Sequence, residues 1–294
     1  MSARRLLIPL IVGCSAACSI FTDLSGFSDG DGGAPDSGDA GDAPADVRGP
    51  EGSAPDGGAD APADAPADAP PLTYRAAVLA DKPIAYLRFG EKSGVLASDE
   101  TAHGNTGAVS GTVTWGVPGA LAGDNDTAVR LDGTTSVIDL GKTIDFAGTA
   151  PFSLEVWLNV AAADTTYRFL VVKDDQPASG REEWGVVIHS VDGLYFERYV
   201  AGNGGGAGTP AASVLGRWVH TVSTYDGVRL AFYVDGTLVD QSPDSRPQLA
   251  KNVPLYAGGG GPNRGVLDGA IDELAIYDVA LPADRIKAHF DLAK

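Results

Sequence analysis

The sequence predicts an all-β domain over Thr73–Lys294, two antiparallel sheets packed as a sandwich and closed by a short C-terminal helix. Three observations carry this. Phe152-Ser-Leu-Glu-Val-Trp-Leu-Asn-Val160 places apolar residues at 152, 154, 156, 158 and 160, the period-2 signature of a strand with one buried face. Leu230–Val234, Asp235-Gly236 and Thr237–Val239 form a hairpin pattern, since both central residues of a type I′ turn favour Asp-Gly. Short β-branched and aromatic runs recur at close spacing between turn residues, which suits a sandwich.

Taken in order, further strands are predicted at Ile84–Phe89, Ala128–Leu131, Ser136–Leu140, Tyr167–Lys173, Trp184–His189 and Gly193–Val200. Trp218–Tyr225 is β-branched and aromatic and ends at the turn pair Asp226-Gly227. Leu255–Ala257 and Ala270–Tyr277 complete the set. The glycine clusters Gly202–Gly208 and Gly258–Gly261 are expected to be long mobile loops. Near the C-terminus, Pro282 in a first turn and Ile286, His289, Phe290 and Ala293 on one face predict a helix.

Residues 1–18 are expected to direct export. Arg4-Arg5 precede Leu6–Val12, an apolar stretch too short to span a bilayer, which needs about 20 such residues. Ile11-Val12-Gly13-Cys14 resembles a bacterial lipobox, with Cys14 as the expected lipid acceptor, and Ser15-Ala16-Ala17-Cys18 is a second candidate. Ser15 or Ser19 would follow the lipidated cysteine, rather than the aspartate that retains lipoproteins at the inner membrane. The expectation is therefore an outer-membrane lipoprotein facing the cell surface or the periplasm. Both cysteines of the chain lie here, so the domain has no disulfide, thiol chemistry or cysteine-ligated zinc.

Residues 19–72 are expected to be a disordered linker. Between Asp23 and Leu72 there are twelve acidic residues against one basic residue, Arg48, and Ala59–Pro70 is three copies of Ala-Asp-Ala-Pro. Such a stretch buries too little apolar surface to offset its ordering entropy. It carries 11 of the 18 net negative charges of the chain, by one basic minus twelve acidic residues. With no basic patch or recognition helix in the chain, nucleic acid is not an expected ligand.

A family resemblance follows from five blocks in order. They are Ala85-Tyr-Leu-Arg-Phe89, Phe152–Trp157, Arg217-Trp-Val-His220 with Tyr225-Asp-Gly227, Phe232-Tyr-Val-Asp-Gly236, and Gly269-Ala-Ile-Asp-Glu-Leu-Ala-Ile-Tyr277 with Ala280-Leu281. The chain from Tyr74 to Phe290 resembles the laminin-G-like branch of the concanavalin A-like lectin/glucanase superfamily. The resemblance implies a jelly-roll with one concave face, and a mostly non-catalytic surface module. It also implies a structural calcium site, with Asp272 as the best side-chain ligand and Glu91 second. Phe89-Gly90-Glu91 and Asp99–Asn105 depart from the family pattern in that region. The alternative is that Asp272 and Glu273 cap or pair at a strand edge.

Catalysis is not expected. Retaining glycosidases need two carboxyls about 5–5.5 Å apart, and no Glu-x-Asp-x-Glu triplet exists here. Glu155 stands alone on its strand, and His103, His189, His220 and His289 are scattered. Trp157 and Trp218 read as structural. Binding through aromatic rings remains. Tyr195, Glu197 and Tyr199 share one strand face, opposite Leu194, Phe196 and Arg198, with Trp184 just upstream. These four residues form the candidate patch, since sugars stack on rings while polar groups take their hydroxyls. The expected function is a membrane-tethered, non-catalytic glycan-binding module. The alternative is a protein-binding, adhesive or structural surface domain.

Overall fold

A computed structural model describes residues 72–174 and 183–294. Cys14, Cys18, the acidic linker and Arg181-Glu182 lie outside the described residues. The chain runs α1 (Tyr74–Ala80), β1 (Ala85–Leu87), β2 (Leu96–Ala97), β3 (Gly107–Ser110), β4 (Val113–Pro118), β5 (Thr127–Asp132), β6 (Val137–Asp139) and β7 (Phe152–Val160). It continues through β8 (Arg168–Asp174), β9 (Glu183–His189), β10 (Gly193–Val200), β11 (Asn203–Thr209), β12 (Trp218–Tyr225), β13 (Arg229–Val234) and β14 (Thr237–Pro243). The last elements are β15 (Leu255–Ala257), β16 (Asp268–Tyr277) and α2 (Ala283–Leu292).

The strands form two antiparallel sheets in a jelly-roll sandwich. The first has the order β14-β13-β12-β7-β16-β5-β4, with β1 also paired to β16; the second has the order β11-β10-β9-β8-β15-β6-β3-β2. Between them lies the main core, to which Phe152, Leu154, Val156, Leu158 and Val160 of β7 contribute one whole side. Asp235 and Gly236 both adopt positive φ, 50° and 73°, as the predicted type I′ hairpin between β13 and β14 requires.

The opposite face of β7 is buried as well, contrary to the one-sided burial that its alternation predicts. The cause is a second apolar cluster in which α1 and α2 cover the outer face of the first sheet. Tyr74 and Val78 of α1 and Ile286 of α2 pack there on Trp157, Val222, Ala275 and Tyr277. Helix α1 has no counterpart in the sequence expectation. Thr73 caps it, its Oγ1 accepting the Ala76 N–H at 3.2 Å, as N-cap threonines do. Pro282 is the N-cap of α2 rather than a first-turn residue.

Two local corrections bear on the site. Gly202–Gly208 is not a loop, because residues 203–209 form strand β11, hydrogen-bonded along the whole of β10. The glycines are there for the tyrosines of β10. A Cβ on Gly208 would lie 2.3 Å from the Tyr195 Cβ, and one on Gly204 would lie 2.9 Å from the Tyr199 ring. In β16 a bulge between Asp272 and Ala275 interrupts the pairing with β7, and Glu273 has φ 52°. The extra residue lets Ile271 and Leu274, three apart, both enter the main core.

Candidate functional site

With the outer face of the first sheet covered by helices, the outer face of the second is the broad sheet surface left for a ligand. Alternation decides which residues reach it. On β10, Leu194, Phe196 and Arg198 are fully buried toward the first sheet, while Tyr195 and Tyr199 are only half-buried. Tyr195, Glu197 and Tyr199 therefore do share the outward face.

Trp184 does not join them. Its cross-strand partner is Arg198, an inward residue, so the indole points into the sandwich and is 1 % exposed. It packs against Phe146 and Phe152, with ring centroids at 5.4 and 5.0 Å. Chain proximity had grouped Trp184 with the patch, and register places it on the other side. Glu197 is on the correct face but 7 % exposed, so only the tyrosines offer ring surface.

The structure adds residues that the sequence reading missed. Tyr167, one position before β8, stacks on His189 with centroids 4.5 Å apart and planes at 17°; it is 45 % exposed. Its hydroxyl donates to Asp192 Oδ2 at 2.7 Å, and this bond pushes the phenol pKa up. His189 Nε2 lies 3.1 Å from the Thr165 carbonyl, and Nδ1 accepts the Asp192 N–H at 3.3 Å. Tyr195 stands beside this pair, packed on Phe169, Val172 and Val187. Burial, followed by the Glu197 charge, pushes the Tyr195 phenol up, so it stays a neutral hydrogen-bond donor. Next to it opens a groove of about 490 Å³, bounded by Val191, Asp192, Tyr195, the Gly206–Pro210 end of β11 and Asp240. Alternation on β8 together with β8–β9 pairing would have found Tyr167 and His189; Asp240, on a distant strand, carries no local signal.

The proposed calcium ligands sit elsewhere. Asp272, in the β16 bulge, accepts the Ala120 N–H on Oδ2 at 2.8 Å, while its buried Oδ1 has no hydrogen-bond partner. Burial, then the charge of Glu273, pushes its pKa well up. Gly119 leaves a cradle here: a Cβ on it would lie 2.9 Å from both Asp272 Oδ2 and the main-chain oxygen of Asp126. A buried carboxylate with one unpartnered oxygen, its other oxygen beside a main-chain carbonyl, is a donor set that fits a hard cation. Glu91 fits less well. Its Oε1 accepts the Ser98 N–H at 2.7 Å, and it lines a cleft whose positive charge is already supplied by Arg88. Arg88 Nη2 lies 2.7 Å from Glu273, 2.8 Å from Asp124 and 3.0 Å from Asp126. Among the described residues no three His, Cys, Asp or Glu side chains converge in a group that could hold a metal, so main-chain oxygens would have to complete a shell at Asp272.

The constellation that most resembles catalytic machinery is sealed. Glu155 accepts from Tyr74 Oη, Tyr277 Oη and His220 Nε2, each at 2.8 Å, and its Oε2 lies 3.0 Å from His289 Nδ1. Glu155 and His220 are fully buried beneath α1 and α2, and His289 is fully buried on the inner side of α2. No substrate reaches them, and the arrangement acts as a clasp that binds both helices to β7.

The comparisons with known proteins agree with this fold. No curated protein sequence matches the chain. Among solved structures, domain 4 of AbnA, a GH43 extracellular arabinanase from Geobacillus stearothermophilus solved in complex with arabinotriose, is similar at TM-score 0.56 and 21 % identity. That match covers 72 % of this chain and 98 % of that one. The binding domain of Paraclostridial Mosquitocidal Protein 1 matches at TM-score 0.54 and 15 % identity, over 72 % of this chain and 52 % of that one. The Botulinum neurotoxin serotype G binding domain matches at TM-score 0.54 and 12 % identity, over 72 % and 51 % respectively. The chain thus spans about half the length of the toxin domains, and these likenesses speak for the fold. The laminin-G family model described as the concanavalin A-like lectin/glucanases superfamily matches residues 132–287, more than half of the sequence. The chain belongs to the laminin-G-like family of the concanavalin A-like lectin/glucanase superfamily.

Proposed function

We propose that this protein is a non-catalytic glycan-binding module, held at the outer membrane by a lipid on Cys14 and displayed on the acidic linker. One observation carries the binding reading: an exposed aromatic platform, Tyr167 stacked on His189 with Tyr195 alongside, borders an open groove on the uncovered sheet face. A sugar ring laid on Tyr167 places its C–H face on the phenol, with the Asp192 carboxylate beside it to accept hydroxyl protons. The arabinotriose complex of a similar fold supports the same reading. The sealing of the Glu155 cluster supports the absence of catalysis.

The test is a panel of neutral and charged oligosaccharides titrated into the full chain, purified in a sugar-free detergent. Saturable binding to at least one glycan is expected; failure to bind any, with capture of a surface protein instead, would move the function to adhesion. The lipid anchor has its own test. Mass spectrometry of the mature N-terminal peptide should find diacylglycerol on Cys14, and unmodified residues upstream of Cys14 in the mature protein would rule the anchor out.

Calcium is proposed at Asp272, with the Asp126 carbonyl. A bound ion would neutralise a buried carboxylate and tie the β16 bulge to the 119–126 segment. Millimolar calcium should raise the melting temperature by about 3 °C or more over EDTA, the size that mass action gives for a site filled well above its Kd. Asp272→Asn should abolish the difference. Identical melting in calcium and EDTA would remove the ion from the account.

A further inference from the structure

We propose that the Tyr195 groove selects neutral and amino-bearing sugars and excludes anionic ones, an inference that rests on the glycan-binding reading above. Among the described residues, the charged side chains bordering the groove are both acidic, Asp192 on the β9–β10 turn and Asp240 on β14, and no lysine or arginine lines it. Two cations on and beside the second sheet are held by other partners. Arg264 lies over the Phe169 ring at 4.4 Å and pairs with Asp174, and Arg168 pairs with Asp164 at 2.6 Å while donating to the Val266 carbonyl.

The two groove carboxylates are fixed in place. Asp240 Oδ2 accepts the Gly208 N–H at 3.0 Å, and its Oδ1 accepts the Gln241 N–H at 2.8 Å. Asp192 is held by the Tyr167 hydroxyl. Each fixed carboxylate is an acceptor with lone pairs to spare, which suits the hydroxyl donors of a neutral sugar and still better an ammonium group. The same two charges repel a uronate or sialate carboxylate brought within a few ångströms, where no basic side chain compensates it. The aromatic platform supplies the affinity, and the acids supply the discrimination.

The experiment compares three linear oligosaccharides of equal length on the full chain: a neutral pentose or hexose oligomer, a glucosamine oligomer and a galacturonate oligomer. At low salt the glucosamine oligomer should bind as tightly as the neutral one or more tightly, and the galacturonate oligomer at least tenfold more weakly. Raising the salt should shrink both differences, because the charges are exposed and screened. The double substitution Asp192→Asn and Asp240→Asn should bring galacturonate to within about threefold of the neutral oligomer. The melting temperature should stay close to the parent value, and the comparison is the ratio of galacturonate to neutral binding within each protein, because both carboxylates also accept sugar hydroxyls. Galacturonate bound as tightly as the neutral oligomer at low salt would overturn the selectivity while leaving the glycan reading standing. Absence of binding to all three would overturn both.

Discussion

Glu155→Gln is expected to destabilise the domain by about 3–5 kcal/mol, the usual cost of removing one partner from a buried charged network. For a domain of this size that corresponds to a fall of roughly 6–20 °C in melting temperature. The size of the effect follows from what the carboxylate does. It takes hydrogen bonds from one strand neighbour in β12, one residue of β16 and one residue in each terminal helix. Trp157 Nε1 donates to the Tyr74 hydroxyl at 3.2 Å, extending the cluster by one member. His289 reaches Asp81 through Nε2 at 3.0 Å, so the imidazole lies between two carboxylates. Loss should appear first as exchange of the α1 and α2 amides, since the clasp is what they share with the sheet. A melting temperature within about 2 °C of the parent would contradict this role.

The same cluster sets a pH dependence. Burial pulls the His289 pKa down, but the charge and hydrogen bond of Glu155 and the charge of Asp81 more than offset it, and the net shift is upward. Its contribution is therefore complete below the ordinary histidine value of 6.5 and fades as pH rises through the raised value. Burial pushes Glu155 up, and His289 and His220 outweigh it, leaving the carboxyl well below its ordinary 4.5. That contribution is complete above 4.5 and is lost as pH falls through the lowered value. The clasp should be strongest between about pH 4.5 and 6.5. His289→Gln should flatten the alkaline limb of a melting-temperature profile.

Trp184→Ala should cost about 3–5 kcal/mol through the cavity it leaves between the sheets. Glycan affinity of the protein that remains folded should be unchanged. The indole packs against the stacked rings of Phe146 and Phe152, and its exposed surface is too small to stack a sugar. Thermal unfolding and titration below the transition separate the two readouts. A variant that melts normally but binds tenfold more weakly would return Trp184 to the binding patch.

The sequence was most legible where one strand carries its own pattern. β7, β10, β12 and β15 run over the predicted residues because alternation, β-branching and flanking turns agree there. Legibility failed where structure depends on a neighbour. β11 reads as a loop because six of its seven residues are Asn, Gly or Ala in a glycine run, yet the rings of Tyr195 and Tyr199 require that absence of side chains. Glu155 looked solitary because its partners Tyr74, His220, Tyr277 and His289 lie on four other elements. For the candidate site, the shared face of Tyr195, Glu197 and Tyr199 was readable from period 2 alone. Placing Trp184 inside and Tyr167 outside needed the pairing of β9 with β8 and β10.

The measurement that bears most directly on the binding reading is calorimetric titration of the strongest glycan from the panel into the parent and into Tyr167→Ala. Tyr167 is the exposed ring of the platform, so its loss should leave the fold intact. Affinity should fall roughly tenfold, the equivalent of about 1.4 kcal/mol, with no change in melting temperature. Equal affinity in the two proteins would contradict the placement of the ligand on the outer face of the second sheet.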